Sequence, residues 1–110
     1  MVQKEPVYEV TKVELALRRT NPPTLDIRAK GRVRTLNWSD PELARRIYIT
    51  PPADGIQEFD FVAAPPTGPT GPTVSPVDAV AEMLDLPSWL VGVRVIAETN
   101  SHEVPLPEAS

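Results

Sequence analysis

The chain has 110 residues, 41% hydrophobic and 24% charged, a balance that supports one buried core and excludes a chain disordered throughout. A formal net charge of -4 and a sequence pI near 4.9 argue against nucleic acid or an anionic membrane as partner, since both reward clustered positive charge. With no cysteine there is no disulfide framework, no thiolate nucleophile and no cysteine-ligated metal.

The first residues, Met1 to Pro6, lack the apolar stretch of a secretory signal, and no apolar run is long enough to span a bilayer. The sequence as given is therefore expected to be soluble and to stay where it is made. Its 14 prolines each fix φ and remove a backbone donor, which leaves helices little room and turns the class towards β.

From Val7 to Leu17 the residues read as a strand, with Val13, Leu15 and Leu17 on one face and Lys12, Glu14 and Arg18 on the other. Tyr8 and Val10 have the opposite parity, which predicts a bulge near Thr11 or a strand covered on both faces at its start. Asn21-Pro22-Pro23-Thr24 is a turn, followed by a strand from Leu25 to Leu36. Leu25, Ile27, Ala29, Gly31 and Val33 share one face of it; Asp26, Arg28, Lys30, Arg32 and Arg34 share the other. One allowed hairpin register sets Leu15 opposite Ile27 and Glu14 opposite Arg28. Gly31, on the inward face, marks a kink or a close approach by another side chain.

Ser39-Asp40-Pro41-Glu42 has the form of a helix start, expected to open a single turn. Arg45 to Thr50 returns to strand with Ile47 and Ile49 inward. After Pro51-Pro52, a tight turn at Ala53-Asp54-Gly55 leads into Ile56 to Ala63, where Phe59, Phe61 and Ala63 alternate with Glu58, Asp60 and Val62. Residues 65–76 hold five prolines and repeat Gly-Pro-Thr, the pattern of an extended loop. Ser75-Pro76-Val77-Asp78 resembles a capping box, and Val77, Val80, Ala81 and Leu84 form a stripe that predicts one short helix, closed by Pro87. Leu90 to Thr99 reads as a central strand, apolar on both faces apart from Arg94 and Glu98. His102 to Leu106 adds a short edge strand before residues 107–110 fray. The expected fold is a single domain, mainly β: a small antiparallel sandwich or partly open barrel of five or six strands with one short helix. Ile27, Val33, Ile47, Ile49, Phe59, Phe61, Leu84, Val93 and Val95 are the expected core. Pro23, Pro52 and Pro66 are candidates for cis bonds.

Chemistry is sparse. Ser101, His102 and Glu103 adjoin in sequence, but neighbours on an extended segment point to opposite sides, so they cannot act as a triad. One imidazole and no thiolate make no zinc site, and Asp54, Glu58 and Asp60 lack EF-hand spacing, so neither a metal nor any other cofactor is expected. The glycines are scattered and form no phosphate-cradling loop. Asn37-Trp38-Ser39 matches a glycosylation acceptor, a triplet that often arises by chance. Trp38 and Trp89 are expected to cap the ends of the core.

Arg28, Lys30, Arg32 and Arg34 form a basic row about 20 Å long, estimated from the strand rise. No aromatics interleave it, so an acidic protein or saccharide suits it better than nucleic acid, and acids Glu58 and Asp60 on a neighbouring strand would neutralise it in a charge ladder. The proline loop, with Pro69, Thr70 and Pro72, loses little entropy on docking, and Trp89 is a candidate contact anchor if exposed. The leading reading is a non-enzymatic module binding a protein partner through the proline loop or the basic strand face. The alternatives are a small hydrolase or ligand-binding enzyme built on Glu58, Asp60 and Arg94, with a cleft where they converge, or an assembly subunit that pairs through a sheet edge.

Overall fold

The computed structural model describes residues 3–68 and 70–107; Pro69 of the proline loop and residues 108–110 of the tail lie outside the described residues. The strands are β1 (Glu5–Pro6), β2 (Glu9–Arg18), β3 (Thr24–Val33), β4 (Ser39–Arg45), β5 (Ile56–Ala64), β6 (Ser75–Met83), β7 (Gly92–Ile96) and β8 (Ser101–Pro105). They form two sheets packed as a sandwich, mainly β as expected, with more strands than the sequence pattern predicts. In the three-stranded sheet β3 lies between β2 and β6. In the five-stranded sheet β4 flanks one edge of β5, while β7 and then β1 share its other edge, and β8 lies beyond β7. All pairs are antiparallel except β5 with β7.

The first hairpin adopts the expected register, with Leu15 opposite Ile27 and Glu14 opposite Arg28, and its pairing shifts between Val10 and Lys12, so the bulge falls at Thr11. The side-chain amide of Asn100 occupies the backbone just before that bulge: its Oδ1 accepts the Val10 N–H and its Nδ2 donates to the Val10 carbonyl, both at 2.8 Å. Gly31 is a close approach. A Cβ there would lie 3.1 Å from Phe61 Cε2 and inside contact distance of the Glu9 carbonyl oxygen.

The expected helix over 77–86 does not form; these residues begin as β6, which pairs with β3 from Leu25–Met83 to Val33–Ser75. The segment satisfies two periods at once. Val77, Ala79, Ala81 and Met83 make an inward strand face as readily as Val77, Val80, Ala81 and Leu84 make a helical stripe, and the long ladder to β3 overrides local propensity. Val80 and Leu84 are consequently exposed, so Leu84 is not a core residue. Pro76 is tolerated because β6 is an edge strand.

The helix start at Ser39-Asp40-Pro41-Glu42 is also a strand. Asp40 takes a positive φ of 50° where the register shifts between Ser39 and Glu42, and Pro41 sits in that irregularity, where it has no ladder bond to give. Strand β4 then stops at Arg45 rather than running to Thr50. Among the described residues the cis peptide is Asn21–Pro22; Pro23, Pro52 and Pro66 follow trans bonds.

Leu25, Ile27, Ala29 and Val33 from one sheet meet Phe59, Phe61, Ala63, Val93 and Val95 from the other, all buried. Trp38 and Trp89, both half-buried, pack against this core. Because Gly31 near the end of β3 faces Phe61 near the end of β5, the two sheets share one end-to-end sense. The 19–23, 46–55 and 84–91 connections therefore gather at one end, opposite the proline loop.

Candidate functional site

The end bearing the 46–55 loop departs most from ordinary packing, and the departure begins at Gln57. Parity puts Gln57 on the inward face with Phe59 and Phe61, and it is fully buried. A buried amide needs partners. Gln57 Nε2 donates to the carbonyl of Arg46 at 2.9 Å and of Glu58 at 3.0 Å, and its Oε1 accepts from Arg45 Nε at 3.3 Å.

Arg46 and Glu58 stand where the β4–β5 ladder would continue, and an antiparallel pair of this kind exchanges two N–H···O bonds. One forms, from Arg46 N–H to the Glu58 carbonyl at 3.0 Å. The reciprocal bond is lost because Gln57 holds the Arg46 carbonyl, and the Glu58 N–H donates instead to the Tyr48 hydroxyl at 3.0 Å. That hydroxyl donates in turn towards the Ile56 carbonyl at 3.5 Å, and the Tyr48 ring meets Trp89 edge to face, centroids 6.1 Å apart. Two side chains thus replace the ladder just where β4 leaves β5. Among the described residues nothing covers those on either side of Tyr48: Ile47 is 86% exposed and Ile49 fully exposed. The alternation of the sequence places both in the core, and the diverted chain removes them from it. Val91 of the 84–91 connection is exposed at the same end, held to the loop by its N–H bond to the Gly55 carbonyl.

The loop is fastened from behind. Gly55, at φ 72°, donates its N–H to Pro52, and Asp54 Oδ1 accepts the Ile56 N–H at 3.0 Å. On the outer face of the five-stranded sheet a charged row crosses the strands as Arg46, Glu58, Arg94, Glu103. Arg46 binds Asp60 through two nitrogens, at 2.9 and 3.0 Å, and Glu58 at 3.1 Å; Arg94 binds Glu58 at 2.8 Å, Glu103 at 2.6 Å and Asp54 at 3.4 Å. These bonds to Asp60 and to Glu58 and Glu103 push the Arg46 and Arg94 guanidinium pKa values further up, so both stay charged. The Ile56 N–H, with Arg94 beside it, holds the Asp54 carboxyl below the usual carboxylate range.

The expected convergence of Glu58 with Arg94 is therefore present as an ion pair on a sheet face, while Asp60 turns to Arg46. None of the principal depressions among the described residues is lined by Glu58, Asp60 or Arg94. The places between Asp54, Glu58 and Asp60 that a cation would take are filled by the two guanidinium groups. His102 lies opposite Val95 and Glu103 opposite Arg94, on opposite faces of β8.

The basic row is interleaved with acids, of which Glu14 opposite Arg28 is the expected one, while the expected ladder to Glu58 and Asp60 does not form. Glu58 and Asp60 belong to the other sheet; Arg28 lies beside Glu14, Lys30 beside Lys12 and Asp78, and Arg32 pairs with Glu9 at 3.2 Å. Lys12, 2.9 Å from Glu14, lowers that carboxyl's pKa. Arg34 falls outside the row, since β3 ends at Val33; it pairs with Glu98 at 3.1 Å and lies 4.7 Å over the Tyr8 ring. The proline loop carries the chain from β5 in one sheet to β6 in the other. Pro72 is exposed, while half-buried Thr70 borders a 200 Å³ depression with Asn37 and Thr67. Trp89 lines a 140 Å³ depression with Arg45, Arg46, Ile47, Tyr48 and Gln57.

Sequence reasoning passed over Ile47 and Ile49 as contact residues, although Gln57 carries a signal. A polar residue in register with Phe59 and Phe61 marks a place where the facing strand cannot continue. Among the described residues no helix is long and apolar enough to cross a membrane. Compared with protein-family models, with curated proteins and with solved structures, the chain matches none.

Proposed function

We propose that this domain is a non-enzymatic binding module that engages a protein partner through the end of the sandwich bearing Ile47 and Ile49, with Trp89 at its base. The observation that carries this reading is the anchored exposure of the two isoleucines. Exposed apolar residues scattered singly need no explanation, but these two flank one anchored tyrosine, and Ile47 shares a depression with Trp89. Burying each isoleucine in a partner contributes about 1.5–3 kcal/mol, and the fixed backbone keeps the entropic cost of docking low. Arg45, on the approach to these residues, gives them a cationic flank that suits an apolar groove with an acidic rim.

The basic face supports this role less, because Glu9, Glu14 and Asp78 are interleaved with its cations. The enzyme reading lacks a cleft at Glu58 and Arg94 and a carboxylate left unpaired by them. The test is affinity capture from host lysate with the unaltered domain, an Ile47→Ser/Ile49→Ser variant and an Arg28→Ser/Arg32→Ser variant. The same partner should be retained by the first and third and lost by the second; equal retention by all three would overturn the reading.

A further inference from the structure

The free edge of β2 carries a second interaction surface, independent of the loop end. Among the described residues β2 pairs its backbone with β3 alone, and no other backbone bond reaches Lys12 to Arg18. Above this stretch the edge is closed: Asn100 holds both polar groups of Val10, and the bulge at Thr11 breaks the ladder. Below the bulge, among the described residues, β2 makes no backbone bond on this side, and β8, which packs near β2, takes none. Inward-facing Val13, Leu15 and Leu17 are only partly buried, unlike Leu25, Ile27 and Ala29 beside them on β3. An unpaired edge flanked by half-covered aliphatic side chains accepts another strand.

We propose that the occupant is β2 of a second copy, paired antiparallel about a two-fold axis at Ala16, so that two three-stranded sheets join into one. The charges choose both partner and register. Inward residues must meet inward residues, which restricts self-pairing to registers two residues apart. Centred on Glu14, the pairing sets two carboxylates face to face; centred on Leu15, it sets Lys12 against Arg18. Centred on Val13, it requires the Val10 backbone that Asn100 already holds, and centred on Leu17, it sets Leu15 against Arg19 and leaves Glu14 without a cation opposite. Centred on Ala16, it places Leu15 opposite Leu17 and Glu14 opposite Arg18, each twice by symmetry, with the smallest side chain at the axis.

Glu14 and Arg18 are about half exposed, and Arg18 already binds Asp26 at 2.8 Å and Glu82 at 3.2 Å; a guanidinium has donors enough to add a third carboxylate. The edge of β6 offers no such match. Its outward charges, Asp78 and Glu82, are both acids.

The test uses sedimentation velocity over a concentration series of the full chain, with Glu14→Arg and Arg18→Glu variants. The unaltered chain passes from monomer to dimer and stops there. Either reversal alone sets like charges against each other twice and weakens self-association about tenfold or more. Mixed together, the two variants restore a heterodimer. The arginine introduced at position 14 of one chain then faces the glutamate introduced at position 18 of the other, and the retained Arg18 faces the retained Glu14. That recovery separates an interface effect from misfolding. Because the chain has no cysteine, Ala16→Cys gives a second reading. Directly opposed residues bring their Cβ atoms to about 4.5–5.5 Å, close enough for mild oxidation to link them after slight adjustment, whereas Val80→Cys on the outer face of β6 stays unlinked. A chain that remains monomeric throughout, a dimer indifferent to both reversals, growth beyond the dimer, or equal linking at 16 and 80 would overturn the proposal.

Discussion

The hydroxyl of Tyr48 accepts the backbone N–H of Glu58 at 3.0 Å, taking the place of the Arg46 carbonyl that an unbroken ladder would supply. The relationship accounts for two otherwise separate facts: β4 stops at Arg45, and the isoleucines on both sides of Tyr48 lie in solvent.

Tyr48→Phe keeps the ring against Trp89 and deletes only the hydroxyl. It should destabilise the domain by about 1 kcal/mol, the usual net worth of such a bond. Hydrogen exchange of the Glu58 amide should accelerate while the amides of the β2–β3 hairpin keep their rates. Uniform acceleration across both sheets would argue that Tyr48 is an ordinary core residue and not a local fastening.

Gly31→Ala should be among the most damaging single changes, because the added Cβ meets the Glu9 carbonyl as well as the Phe61 ring. Overpacking of this kind costs about 1–3 kcal/mol. Urea denaturation should show that Phe61→Leu in the same chain does not rescue it, since the backbone contact remains. Full rescue would place the constraint on the ring alone.

The pattern of alternating residues made much of this fold legible. The first hairpin, its register, the bulge at Thr11 and the approach at Gly31 follow from residues whose burial is settled by two adjoining strands. The failures occur where a short segment satisfies two patterns. Residues 77–84 fit a helix and a strand equally until β3 supplies its ladder, and Ile47 and Ile49 look like core until Gln57 is seen to divert the chain. Whether Glu58 and Asp60 answer the basic row also depended on strand order, which periodicity does not encode, and β5 lies in the other sheet. Two-residue spacing places charges on one face; only topology decides which neighbour answers them.

Asp54 links stability to pH. Its carboxyl is held below the ordinary range near 4, so its contribution is complete above that range and is lost as pH falls through the lowered folded value. Asp54→Asn retains an oxygen to accept the Ile56 N–H but not the charge facing Arg94. Urea midpoints should therefore show the unaltered chain ahead of the variant at pH 7, with the gap closing below about pH 4. A gap that stays constant from pH 7 to pH 2 would exclude this carboxylate as the source.

Ile47→Ser/Ile49→Ser should leave folding intact, because both side chains already lie in water; such surface changes stay within about 0.5 kcal/mol. Thermal melts of the variant and the unaltered chain should superimpose. A clear loss of stability would show that the isoleucines are buried in solution, and the loop would then not be a docking surface.

The most direct test of the central claim is site-specific photo-crosslinking in host cells, with a benzophenone side chain placed in turn at positions 47, 49, 30 and 72. A discrete adduct to the same partner from positions 47 and 49, with none from 30 and 72, is the predicted result. Adducts from 30 or 72 with none from 47 and 49 would contradict it and move the binding surface to the basic strand or the proline loop.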